Sequence, residues 1–448
     1  MPARDLSFQM TAATAAKVTF SLSNTDSTPV PTVAPPEPGD ERWRSRLGLL
    51  WLGQVVSHLG DALFISVMFF VALEVTGSSS MSAALVALNF LPALALGLFA
   101  GALVDRSDRR KIMLWADLSR ALSVGAIPIL HAVDLLTPSA LGAAVFCLAT
   151  GATLFNPAIK SLVPRITPAQ HLTAAVSGFQ VAEYGALVAG PLLAAILIPL
   201  IGSINLLLVD AATFLFSAGC IALLPLVRDR KPTPLSSVAD NALPLDLRAT
   251  WHEAISGARQ VWAVPSMRAL LVIGTLNNFA IMGLAHVATP LLVTKTLGLN
   301  AAAYSQTLGL FFLGMTLASA AFWLFGHSFP KGPTILVGIV LDGLTFIPYA
   351  FCSTIGQLGI AQFVHALFIP LIIIPRTVMI QKTVPAHLHG RAFALVNVTV
   401  FGMMALSSGL VGGLAEWLSP STLFLVLGSI GALPGLFGFL MPSLRGAR

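Results

Sequence analysis

Gly101-Ala102-Leu103-Val104-Asp105-Arg106-Ser107-Asp108-Arg109-Arg110-Lys111 lies across the junction of two apolar runs, 80–104 and 111–133, and sets four basic residues and two aspartates between them. An apolar run of ~20 residues crosses ~30 Å of hydrocarbon as a helix, because a helix satisfies its own backbone N–H and C=O groups. A basic cluster does not follow it through, so this stretch is a short loop left on one side of a membrane. Working outward, the same alternation of apolar run and polar break predicts spans at 47–73, 80–104, 111–133, 139–158, 172–198 and 203–227. A second set follows at 267–293, 302–327, 333–352, 354–381, 391–416 and 421–441. The composition agrees, with 56% hydrophobic and only 10% charged residues, against about 25% charged in a soluble chain. The predicted fold is all-α: a polytopic membrane protein of twelve transmembrane helices in two six-helix halves, 47–227 and 267–441.

Lys and Arg are kept on the cytoplasmic side of a membrane and depleted from translocated loops. With the N-terminus inside, Arg42, Arg44 and Arg46, the cluster from Arg106 to Lys111, and Lys160 and Arg165 all fall on one side. So do Arg228, Arg230, Lys231, Arg248, Arg259, Arg268, Lys331, Arg376, Lys382, Arg391, Arg445 and Arg448, while Lys295 falls on the other. This bias predicts a cytoplasmic N-terminal tail (1–46), a cytoplasmic linker (228–266) and a cytoplasmic C-terminal tail (442–448) in a bacterial inner membrane. The tail is rich in Ser, Thr, Pro and Ala, lacks the apolar core of a cleavable signal peptide and is expected to be disordered. The linker starts Pro-rich and then carries a predicted surface helix at 247–261.

The loop from Gly101 to Lys111 resembles the cytoplasmic signature of the major facilitator superfamily, with Asp108 where a glycine is common. Further similarity is to the drug and siderophore exporters of that superfamily, which include macrolide-efflux and enterobactin-export proteins. It is carried by Leu50-Trp-Leu-Gly-Gln54 with Leu59-Gly-Asp61, by Ala116-Asp-Leu-Ser-Arg120, by Phe155-Asn-Pro-Ala158 with Val163-Pro-Arg165, and by Gly190-Pro191. Asp210-Ala-Ala-Thr-Phe214 and Val384-Pro-Ala-His-Leu-His-Gly-Arg391 extend it, so that it covers roughly 47–441. The resemblance implies a monomeric carrier whose halves rock about a central site. It also implies a conformational latch formed by Gly101, Asp105, Arg106, Arg109 and Arg110, with Asp117 and Arg120 as partners. The alternative for that loop is a purely topological basic cluster. No equivalent latch is recognisable in Gly326-His-Ser-Phe-Pro-Lys-Gly332.

A charge inside the membrane costs several kcal/mol unless it faces protein or water, so each one is a candidate for function. In span 1, Gln54, His58 and Asp61 share one helical face. Asp61 is a candidate proton-coupling carboxylate, a candidate ligand for a cationic substrate, or a helix-pairing group. In span 5, Gln180, Glu183 and Tyr184 form a second polar group, in which Glu183 is either a desolvated proton carrier or a packing carboxyl. Thr275, Asn278, Met282 and His286 fall on one face of span 7 and suit the lining of an amphipathic cavity. His286 and His365 are proton shuttles or packing residues, and Asp210 and Asp342, lacking polar neighbours on their own helices, are expected to be structural. The Gly190-Pro191 step in span 5, flanked by Gly185, Ala186, Ala189, Ala194 and Ala195, predicts either a flexing or a tightly packed helix.

No phosphate-binding loop, dinucleotide fingerprint or metal-spaced ligand set is present, and Cys147, Cys220 and Cys352 stand far apart in apolar stretches. The chain therefore reads as a transporter and not an enzyme, without cofactor or metal and without a nucleic-acid partner. The leading expectation is proton-coupled export of a small hydrophobic or amphipathic compound, such as a drug, secondary metabolite or siderophore, with membrane lipid as the surrounding partner. Import or lipid flipping by the same fold is the alternative, and a non-transporting receptor or scaffold is the reading from another class.

Overall fold

The computed structural model describes residues 42–224, 247–326, 329–385 and 388–447. Most of the predicted N-terminal tail and the first part of the linker lie outside these residues. Among the described residues, twelve helices are long and apolar enough to cross a membrane. Spans 1 to 6 are Trp43–Thr76, Ser79–Gly97, Arg109–Ala132, Pro138–Ile166, Leu172–Ile201 and Leu206–Leu223. Spans 7 to 12 are Pro265–Thr296, Ala301–Phe322, Lys331–Phe351, Ile355–Thr383, His389–Leu414 and Pro420–Gly438. The largest departure from the predicted bounds is span 4, which runs on to Ile166 through Pro157 and Pro164. A membrane helix carries an internal proline at lower cost because neighbouring groups take up the freed carbonyl.

Helix starts follow from short polar side chains that accept the otherwise unpartnered N–H groups of a first turn. Ser78 caps Met81, Thr137 caps Ala140, Asn300 caps Ala302 and Ala303, and Thr354 with Gln357 forms a reciprocal capping box. Asp108, which replaces the usual loop glycine, is the N-cap of span 3: its carboxylate accepts from the Lys111 N–H at 3.2 Å. Gly202 closes span 5 with φ of +82°, a conformation that strains any residue with a Cβ.

Packing repeats between the halves. Span 1 lies against spans 5 and 6, span 3 against spans 4 and 6, and span 2 against span 4. In the second half, span 7 lies against spans 11 and 12, span 9 against spans 10 and 12, and span 8 against span 10. The halves meet where span 2 runs along span 11 and span 5 along span 8. Close approaches there include Gly412 against Ala83, Gly309 against Leu192, and the Phe70 and Tyr304 rings at 5.4 Å. These lie toward the end of the bundle opposite the termini. Toward the termini, a cavity of about 450 Å3 separates spans 2 and 4 from span 11, between Phe90, Asn156, Lys160 and Asn397. The predicted surface helix is present as Leu247–Ala263, with Gly257 against the Arg391 side chain of span 11.

Gly190 and Pro191 do not break span 5. The helix is continuous from Leu172 to Ile201, and Gly190 packs so closely on Ala62 of span 1 that a Cβ would collide with it. Of the two expectations, tight packing describes this step.

Candidate functional site

Arg120 projects from span 3 into the first half. It lies flat because Gly151 on span 4 has no side chain: a Cβ there would stand 2.6 Å from Arg120 Cγ. Its Nη2 donates to Asp61 Oδ1 at 2.6 Å and its Nη1 to Asp117 Oδ1 at 3.2 Å. The guanidinium carbon sits 3.9 Å from the Phe214 ring centroid and 5.7 Å from that of Phe155, cation–π contacts that favour a planar cation in a low-dielectric setting. Asp210 of span 6 joins the same charge cluster, interacting with both Asp61 and Arg120. It reaches span 1 because Gly60 leaves room where a Cβ would strike Asp210 and Thr213.

Four ionisable groups thus come from spans 1, 3 and 6, with His58 Nδ1 at 3.8 Å from Asp61 Oδ2. Asp117 and Asp210 are fully buried, and one oxygen of each has no hydrogen-bond partner among the described residues. Asp61 is more open, with its side chain 37% exposed, and lines a cavity of about 190 Å3 with Gln54, His58, Asn89, Arg120 and Asn156. Gln54 also donates to Ser217 at 3.3 Å. The predicted face of Gln54, His58 and Asp61 therefore lines one cavity.

Two expectations for this half are corrected. Asp117 and Arg120 are not joined to the loop arginines: Arg109 donates to Ser161 and Arg110 to the carbonyls of Ile221 and Ala222. The reason is depth, since Arg120 stands three turns into span 3 from its cap at Asp108 and meets Asp61 instead. The side chains of Gly101, Asp105 and Arg106 lie outside the described ones. Asp210 is not isolated either: Thr213 of its own helix donates to it at 3.4 Å, and Asp61 and Arg120 reach it from spans 1 and 3. In span 5, the small residues Ala182, Ala186, Gly190 and Ala194 take the buried face, and Gln180, Glu183 and Tyr184 are left exposed. Glu183 does not pack against the neighbouring helices here.

The second half holds a cavity of about 250 Å3 whose wall includes Asn278, Met282, His286, Asp342, Gln362 and His365. Three of the four residues of the predicted span 7 face line it. Thr275 does not, and its hydroxyl donates to the Leu271 carbonyl. Span 7 passes the cavity as two π-helical turns, Leu284–Ala288 and Leu292–Thr296, on either side of Pro290. Proline removes a backbone donor from this stretch, and the Leu284 carbonyl accepts from both the Thr289 N–H and the Thr289 hydroxyl, the latter at 2.8 Å. Ile65 of span 1 stands on the walls of both cavities.

A profile for a family described as transmembrane secretion effectors matches residues 44–445. The chain belongs to this family of the major facilitator superfamily. Its relatives include the uncharacterized MFS-type transporter YfiS of Bacillus subtilis, 27% identical across 88% of this chain and 93% of that protein. The multidrug efflux pump Tap of Mycolicibacterium fortuitum is 25% identical across 90% and 97%. Macrolide efflux protein A of Streptococcus pyogenes is 24% identical across 87% and 94%. Among solved structures, the nucleoside transporter NupG superposes with a TM-score of 0.70 at 13% identity, over 88% of this chain and 98% of NupG. A bacterial homologue of the human lysosomal transporter Spinster, inward-facing and unoccupied, gives 0.66 at 15%, over 92% and 99%. These likenesses show the facilitator fold, and this secretion effector is a transporter and not an enzyme.

In this secretion effector, sequence reasoning missed Gly60, Gly151, Ser217 and Gln362. The two glycines carry no chemistry, and only their neighbours reveal that they make room for charge. Ser217 and Gln362 are single polar residues in apolar runs, a signal present in the sequence but not selective.

Proposed function

We propose that this chain is a proton-coupled exporter of small hydrophobic or amphipathic compounds, working as a monomer in a bacterial inner membrane with both termini in the cytoplasm. The observation that carries the coupling is the imbalance of charge around Arg120. Asp61, Asp117 and Asp210 face one guanidinium, so full ionisation would leave two uncompensated negative charges in a membrane-embedded core. Such a charge is costly in a low-dielectric interior, and the centre avoids it by holding protons. Asp61 is the member in contact with a cavity and is the site of proton entry and release. Exchange of Arg120 among three carboxylates links protonation to the relative positions of spans 1, 3 and 6. Full-length similarity to efflux pumps supports the outward direction. The charge bias of the loops supports the orientation, and the loop from Gly101 to Lys111 serves as the conformational latch. Glu183, exposed here, is a second coupling candidate in conformations that bury it.

The test is transport in reconstituted vesicles with an imposed pH gradient and a panel of hydrophobic and amphipathic compounds. A proton-coupled exporter accumulates compound on the side from which protons leave, and dissipating the gradient abolishes accumulation. Movement that ignores the gradient identifies a facilitator or flippase, and no movement of any compound identifies a receptor or scaffold. Orientation is read separately: a cysteine placed at Ser443 resists an impermeant reagent in intact cells, while one at Ser203 reacts. The reverse pattern overturns the topology.

A further inference from the structure

Arg376 stands in the second segment of span 10, Pro370–Thr383, on the wall of the second-half cavity. A basic residue that only marks the cytoplasmic side sits in a loop. Arg376 instead lies seven residues short of the end of its span at Thr383, about 10 Å along a helix, and is half-buried. A cation at that depth is costly unless protein, water or a ligand answers it. Among the described residues no hydrogen bond or ion pair reaches the guanidinium, and no carboxylate is near enough to act on its charge. Asp342, the carboxylate on the same wall, is engaged elsewhere: Asn277 hydrogen-bonds it, and His365 Nε2 lies 3.7 Å from its Oδ1. Arg376 is eleven residues from His365 along span 10, roughly 16 Å, so the two charges of the cavity stand apart.

A second group on this wall is also unanswered. Asn278 of span 7 is 8% exposed, lines the cavity and makes no hydrogen bond to a described residue. The helix that carries it, Pro265–Gly283, touches the Pro370–Thr383 segment that carries Arg376. Its neighbour Asn277 differs, because its amide donates to the Gly431 carbonyl at 3.1 Å. The N–H fork of a guanidinium and the N–H pair of a carboxamide form a donor set suited to the paired oxygens of a carboxylate. Ile372 and Ile373 precede Arg376 by one helical turn, so they share its face, and both line the cavity. Beyond them stand the rings of Phe311 and Phe346, whose centroids lie 6.0 and 4.3 Å from that of His365. Donors at one end and an apolar wall along the rest fit a compound with one anionic head on an apolar body.

We propose that the second-half cavity binds amphipathic carboxylates, with the carboxylate on Arg376 and Asn278 and the apolar body along Ile372, Ile373 and the aromatic wall. A carboxylate matches better than a phosphate. The wall beside Arg376 is isoleucine, and a phosphate brings a second charge and a third oxygen with no further donor to meet them. This deepens the exporter reading by naming a substrate class, and it rests on that reading for transport but not for binding.

Calorimetric titration of the full-length protein in lipid nanodiscs, with empty nanodiscs as the blank, tests the proposal with 4-phenylbutyrate, its neutral amide and phenylbutyl phosphate. The carboxylate should bind about tenfold more tightly than the amide, and more tightly than the phosphate. Arg376→Met keeps the apolar stem and removes the cation. It should weaken the carboxylate by about tenfold or more and leave the amide within about twofold. Arg376→Lys, which keeps the charge but not the fork, should recover only part of that loss. Asn278→Leu leaves the cation in place and should weaken the carboxylate by about threefold. Unchanged carboxylate affinity in that variant overturns the paired contact, whether or not Arg376→Met folds. Equal affinity of carboxylate and amide for the wild-type protein overturns the proposal, as does an Arg376→Met protein that binds the carboxylate unchanged or, with normal thermal unfolding, loses carboxylate and amide alike. Tighter binding of the phosphate assigns the site to phosphorylated ligands, lipid headgroups included, and overturns the carboxylate class. Arg376-dependent binding without gradient-driven transport of phenylbutyrate instead contradicts the exporter reading and leaves the site standing.

Discussion

The two halves repeat the same helix packing and fill it with opposite chemistry. Counted from Arg109 and from Lys331, Arg120 of span 3 and Asp342 of span 9 both stand at the twelfth position. In the first half that position is a cation surrounded by carboxylates. In the second it is a carboxylate beside a histidine and aromatic rings. Span 6 brings Asp210 to the first cluster, whereas span 12 brings Phe424, stacked on Phe346 at 6.1 Å. Repeated packing therefore fixes where a buried side chain points and not what it does. The first half gathers three carboxylates around one guanidinium, and the second lines a mainly apolar cavity on which Asp342 and Arg376 both stand.

The comparison breaks most easily at Arg120. Arg120→Met leaves three buried or half-buried carboxylates without their cation, and loss of one side of a buried ion pair costs roughly 3–5 kcal/mol. Thermal unfolding in detergent should show a large drop in stability, partly recovered by adding Asp117→Asn. At the matching position, Asp342→Asn keeps shape and removes no strong partner, so its cost should stay below about 1 kcal/mol. Equal losses at the two positions would mean that the halves do not differ in charge dependence.

Packing sharpens the same comparison. Gly190→Ala brings a Cβ against Ala62 Cβ, and Gly283→Ala brings one against the Ser407 backbone carbonyl. Each overpacks a helix contact, at a cost of about 1–3 kcal/mol. Ala62→Gly should restore the first variant, because the obstacle is a side chain. No side-chain deletion at Ser407 should restore the second, and the two thermal shifts measured together check this. The smallest effect is at the caps. Span 3 is capped by the Asp108 side chain, while span 9 starts at Pro330 with no side-chain cap. Asp108→Ala makes the first half like the second and should cost about 0.5–2 kcal/mol, read from the same unfolding curves.

The spans were legible in the sequence because lipid imposes a length and a composition on each of them, whereas the capping residues Ser78, Thr137 and Thr354 that fix several starts emerge only from the structure. The linker helix was legible for its polar and apolar alternation, ending two residues beyond the expected Val261. The face of Gln54, His58 and Asp61 could be read from helical period alone. The partners of that face could not: Asp61 and Arg120 are 59 positions apart, and only packing decides that they meet. The same holds for Asp342 and His365. For Gln180, Glu183 and Tyr184, one helix shows which residues share a face but not which face packs on its neighbours. In span 5 that is decided by the small residues that fit against span 1.

The most direct test of the account compares downhill exchange with uphill accumulation in vesicles containing Asp61→Asn. This variant removes the one carboxylate of the cluster that touches a cavity, and Asp117 and Asp210 remain to balance Arg120, so the protein should fold. Exchange of labelled for unlabelled compound should persist within about threefold of wild type, as expected when substrate contacts are intact, while accumulation driven by a pH gradient should be lost. Accumulation with the wild-type dependence on pH would contradict the placement of proton coupling in the first half.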